Sequence, residues 1–274
     1  MLTATLLALG AAVMHAGWNL AVKQSGDRFI ALWGQFFAAG VICAAVLPFT
    51  GGLPAAGWRW AALSGVVHLP YTWFLARAYD HGDFSLVYPV ARGGGALLAA
   101  IGGIVLLDDH LSGIAVAAIV LVAFGLFLLA GRAGGPELWS AAVVALTIGA
   151  YSLSDAQGIR STGTPTYALA TFVATGLTTT TFGLASGRGR VMATAMRAGW
   201  RRFVVIGMAV SVTYGMVQLA FQWAPVGYVT ALRESSVVLA AFAGWRMLGE
   251  SAGTRRLVSS GVVVGGLVLL VVAR

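Results

Sequence analysis

Charge is scarce in this chain. Only 9% of its 274 residues are Asp, Glu, Lys or Arg, against roughly 25% in an ordinary soluble domain, and a water-facing exterior cannot be built from so little. A soluble globular protein is thereby excluded. Cysteine is almost missing as well: Cys43 stands alone, so no internal disulfide exists, and in its apolar stretch the thiol reads as a small packing group. Four histidines, His15, His68, His81 and His110, are scattered without the spacing of metal ligands. The sequence also lacks Gly-x-Gly-Asp and His-Glu-x-x-His, and no lysine-serine follows the glycines of "RGGG". Aspartyl and zinc intramembrane hydrolysis and a phosphate-cradling loop therefore lack their groups.

What is present is apolar sequence, 59% of the chain, with a mean hydropathy of +0.87. Runs of about 20 apolar residues recur along its whole length, which suits helices across a hydrocarbon core and not the short alternating strands of a barrel. The pattern predicts an all-α integral membrane protein of about ten transmembrane helices. The eighth is expected near 201–223 and the ninth near 226–248, with "RGRVMATAMRAGWRR" as a loop before the eighth. The first carries His15, Trp18 and Asn19 with no small-residue cleavage site, and is expected to be retained and not removed as a signal peptide. The formal charge of +8 comes from basic residues at helix ends and in that loop, where they face water or lipid phosphate. No nucleic-acid partner is expected.

The two halves of the chain resemble each other. "AGWR" occurs at Ala56–Arg59 and again at Ala198–Arg201, an offset of 142 (198 − 56). "PVARGGG" aligns with "TALRESS", placing Arg92 on Arg233 at an offset of 141 (233 − 92), and "LLDD" then falls on "MLGE", placing Asp109 on Glu250. More loosely, "ALGAAVMHAGWNLAVKQSG" lies over "ALTIGAYSLSDAQGIRSTG" and brings Lys23 onto Arg160. Five helices per half is an odd number, so the copies must be inverted across the membrane. Residues 1–132 and 133–274 are expected to form two inverted five-helix repeats within one integrated membrane domain, an arrangement that puts a substrate site near the midplane between the copies.

The closing segments of the halves, "LLDDHLSGIAVAAIVLVAFGLFLL" and "MLGESAGTRRLVSSGVVVGGLVLL", together with "HAGWN" in the first helix, resemble the EamA-type transporters of the drug/metabolite transporter superfamily. Departures exist: Asp109-His110 stands where the family often has Glu-Arg, and Pro89 has no counterpart at Thr230. The resemblance implies ten helices in two repeats, proton-coupled or exchange transport of small metabolites, and both termini inside. Counting arginines gives the opposite orientation, since most of them follow odd-numbered helices.

Polar residues within the apolar runs are the candidate site. Arg92 and Arg233 are costly at that depth unless paired, hydrated or bound to a substrate anion. They are read either as substrate-binding residues or as structural clamps. His15 and Asn19, and Tyr88 and Arg92, are pairs four residues apart that share helix faces, and Tyr214 and Gln218 belong to a stripe on the eighth helix. These residues are the substrate-binding candidates. Asp155 and Glu234 are candidates for proton coupling, and Glu234, adjacent to Arg233 on a helix, is expected to pair elsewhere. The expected function is secondary transport or export of a small metabolite across the cytoplasmic membrane by a multi-pass protein, with no cofactor, no metal, no catalysis and no ATP. Its partners are the small-molecule substrate and the lipid bilayer; the oligomeric state is left open, a monomer being compatible with the pattern. The competing classes are a non-transporting receptor or assembly protein, and an intramembrane enzyme.

Overall fold

A computed structural model of the chain describes residues 1–23, 25–81, 84–130, 135–239 and 254–273, with side chains placed throughout these except at 18–23, 78–81, 84–88, 129–130, 135–137, 254, 256 and 257. Among the described residues the secondary structure is helical, without strands. The helices are α1 (Leu2–Lys23), α2 (Arg28–Val46), α3 (Ala55–His81), α4 (Phe84–Leu106), α5 (Gly113–Ala130), α6 (Gly135–Thr162), α7 (Thr166–Ala185), α8 (Gly189–Ala220), α9 (Val226–Arg233) and α10 (Thr254–Val272). A short 3-10 turn, Leu47–Phe49, extends α2. Five described helices are long and apolar enough to cross a membrane: Arg28–Phe49, Pro89–Leu106, Leu138–Thr162, Thr166–Ala185 and Gly189–Ala220. Leucines and valines such as Leu6, Leu146, Leu177, Val205 and Val268 point outward. Such a surface matches lipid and not water. The described residues are all-helical, with the length, composition and apolar exterior of a membrane protein.

Two elements differ from their expected course. The stretch expected to be a loop before the eighth helix is itself helical from Gly189 and bends at Gly199 (φ −131°, ψ 19°) before α8 continues. Met192 buries on its inner side while Arg190 and Arg197 stay exposed, so a one-sided apolar face, too short for a run of membrane length, holds this first part against the bundle. The ninth helix stops at Arg233, turns at Glu234 and resumes over 235–239. The remainder of its expected span lies outside the described residues.

Packing follows a regular scheme. α1 lies on α8 and α9, α2 on α7 and α8, α3 on α6 and α7, α4 on α5, α6 and α9, and α5 on α10. Close approach in lipid needs small residues, because apolar solvent supplies no hydrophobic force between helices. Where α2 crosses α7, a Cβ on Gly40 would lie 2.9 Å from the Phe172 carbonyl oxygen, and one on Gly176 would lie 2.8 Å from the Phe36 carbonyl oxygen. Each glycine stands four residues after the phenylalanine that the other one meets. The crossing of α5 with α10 has the same reciprocity: a Cβ on Gly125 would lie 2.7 Å from the Val263 side chain, and one on Gly266 would lie 2.8 Å from that of Val122.

A polar clasp closes one end of the bundle. Asp109, just beyond α4, accepts the Val226 N–H on Oδ2 at 2.6 Å, satisfying the first donor of α9. Its Oδ1 pairs with Arg160 Nη1 at 2.8 Å. Arg160, near the C-terminus of α6, also donates from Nε to the Phe221 carbonyl (2.8 Å) and from Nη2 to the Ala224 carbonyl (3.0 Å). One carboxylate and one guanidinium thereby tie α4, α6, the α8–α9 turn and α9 together, filling the valences that helix ends leave open. Glu250 lies outside the described residues, as does the Lys23 side chain.

Candidate functional site

The polar interior begins on α6. Tyr151 and Asp155, four residues apart, project from one face of that helix. Asp155 is fully buried and accepts two phenolic hydrogen bonds, from Tyr167 on α7 at 3.0 Å and from Tyr214 on α8 at 2.6 Å. Tyr151 stacks on His68 of α3, ring centroids 4.3 Å apart, and meets Tyr71 and Tyr214 edge-on at 5.6 and 5.7 Å. His68 Nδ1 lies 2.8 Å from the Ser64 carbonyl oxygen. A proton on Nδ1 completes that bond and leaves Nε2 as the acceptor of the neutral ring. These rings, with His15 of α1, Phe36, Phe172 and the hydroxyls of Thr171, Thr175 and Thr213, enclose a cavity of about 40 Å³. That is room for roughly three water molecules at about 10–15 Å³ each.

Arg233, at the end of α9, faces this cavity. It is 4% exposed, its guanidinium lies 5.4 Å from the centroid of the Tyr214 ring, and its Nε has no hydrogen-bond partner. No ion pair to Arg233 occurs among the described residues. Tyr214 therefore stands between a buried cation and a buried carboxylate, presenting its face to the first and its hydroxyl to the second.

Arg92 has a different environment. It meets Glu234 side-on, Nη2 to Oε1 at 2.7 Å and Nε to Oε2 at 3.1 Å, with both side chains almost wholly buried. Glu234 thus pairs across the bundle and not with its chain neighbour. Arg92 is absent from the cavity lining, where Arg233, His15 and Tyr214 are present. Gln218, one turn beyond Tyr214 on α8, donates from Nε2 to Thr171 Oγ1 at 3.3 Å. The side chains of Tyr88 and Asn19 lie outside the described residues. Among the described residues no group of three His, Cys, Asp or Glu side chains could hold a metal ion.

His68, Tyr71 and Tyr151 were not singled out from the sequence as site residues. A weak signal was available, since His68 and Tyr71 are three residues apart and Tyr151 stands one turn before Asp155, but shared faces do not reveal which helices converge.

No family model matches the chain, and no curated protein matches it. Among solved structures, one described only as "Crystal structure of protein" is similar to it with a TM-score of 0.73 at 18% identity, covering 99% of this chain and 98% of that chain. At that identity the likeness shows a shared fold.

Proposed function

We propose that the chain is a secondary transporter of a small metabolite in the cytoplasmic membrane, carrying its substrate unchanged by alternating access between two inverted five-helix repeats, 1–132 and 133–274. The observation that carries this reading is Arg233, a cation held in an apolar bundle, facing a cavity and without a protein counter-charge among the described residues. Such a group is costly in lipid surroundings and is typical of a substrate or ion path. The reading places the chain with EamA-type members of the drug/metabolite transporter superfamily, on the sequence resemblance.

Several features support the repeat. Exchanging α1–α5 with α6–α10 turns the contact of α3 with α6 into that of α8 with α1, the contact of α3 with α7 into that of α8 with α2, and the contact of α4 with α6 into that of α9 with α1. The two reciprocal glycine crossings obey the same exchange, and the offset of 141 (266 − 125) at the second equals that relating Arg92 to Arg233. Two similar halves in opposite orientation give two packings of nearly equal energy, one open to each side, as alternating access requires. Asp155 is the candidate for a coupled proton.

Purified protein reconstituted in vesicles and screened against amino acids, sugars, carboxylates and organic phosphates should give saturable counterflow without ATP. Flux that requires ATP, or none across the panel, would overturn the reading.

A further inference from the structure

We infer that the Arg233 cavity selects a monocarboxylate with a flat apolar body, and disfavours zwitterions and cations. This deepens the transporter reading and rests on it. Charge is the first argument. Arg233 is the cation of the cavity wall, and the two nearby acids are already engaged: both oxygens of Glu234 bind Arg92, and both oxygens of Asp155 accept tyrosine hydroxyls. Neither acid lines the cavity. A carboxylate entering it meets a guanidinium with an open Nε, and an ammonium group meets no carboxylate among the described lining residues. A single negative charge matches the Arg233 guanidinium, which has no ion-pair partner among the described residues, and burial magnifies any mismatch.

The walls are the second argument. His68, Tyr71, Tyr151, Tyr214, Phe36 and Phe172 present ring faces and edges, the surroundings that a flat apolar group fills with offset and edge-on contacts. Hydroxyls that could serve a sugar are largely committed to their own helices: Thr171 Oγ1 donates to the Tyr167 carbonyl and Thr213 Oγ1 to the Ala209 carbonyl. The small volume calls for a small ligand whose entry spreads the rings.

Three probes sharing one ring and differing in charge test this: phenylacetate, phenylalanine and phenethylamine, titrated calorimetrically into detergent-purified protein. Phenylacetate should bind most tightly, with phenylalanine weaker by roughly 10- to 100-fold, the factor that corresponds to one charge-assisted hydrogen bond, and phenethylamine weaker still. In Arg233→Gln the preference for phenylacetate should vanish, with Arg233→Lys intermediate because it keeps the charge and loses the planar fork. Should Arg233→Gln fail to fold, the charge series on the unaltered protein still decides. Phenylalanine or phenethylamine binding as tightly as phenylacetate, no binding of phenylacetate, or an unchanged preference in folded Arg233→Gln would overturn the inference. Counterflow of some other solute would in that case leave the transporter reading standing. Phenylacetate binding without any flux would do the reverse.

Discussion

Arg92 and Glu234, 142 residues apart, share a side-on ion pair buried between α4 and the turn after α9. Removing one partner strands a charge away from water, a loss of about 3–5 kcal/mol, whereas replacing both by apolar residues of similar size costs far less. Arg92→Met and Glu234→Met should therefore each lower the melting temperature sharply in detergent, and the double variant should recover much of the loss. Additive losses in the double variant would show that the two side chains stabilise the fold separately.

The α2–α7 crossing is predicted to be intolerant of a single methyl group. Gly176→Ala drives a Cβ against the Phe36 carbonyl, which as backbone cannot step aside, at a cost of about 1–3 kcal/mol. Gly215→Ala, on α8 with open space around its Cβ, should be neutral or slightly stabilising, because alanine is the better helix former by about 1 kcal/mol. Thermal unfolding of the two variants side by side measures the difference.

At the clasp, Asp109→Asn keeps an acceptor for the Val226 N–H and loses the charge opposite Arg160. Asp109→Ala loses both and leaves the first amide of α9 unpaired. Alanine should cost about 1–3 kcal/mol and asparagine clearly less. Equal losses in thermal melts would show that the ion pair, and not the helix-capping bond, dominates.

Tyr214→Phe keeps the ring beside Arg233 and removes the hydroxyl that donates to Asp155, at a cost of about 1–3 kcal/mol for a buried carboxylate short of one donor. If Asp155 carries the coupled proton, Asp155→Asn should abolish uptake driven by a pH gradient and leave counterflow intact. Gradient-driven uptake that survives in Asp155→Asn removes Asp155 from the coupling path.

By itself the sequence determined the class of protein and most helix positions, because both follow from local composition: an apolar run of membrane length has no stable option but a helix that closes its own hydrogen bonds. Alignment of its two halves sets Arg92 against Arg233. The helical start of α8 was not legible, since Gly189–Gly199 is too polar for an apolar run and is held by Met192 burying against the bundle. Tertiary structure alone decided the difference between the two arginines. Which side chain a guanidinium meets depends on how helices far apart in the chain are rotated and crossed, and here that geometry gives Glu234 to Arg92 and leaves Arg233 facing the ring-lined cavity.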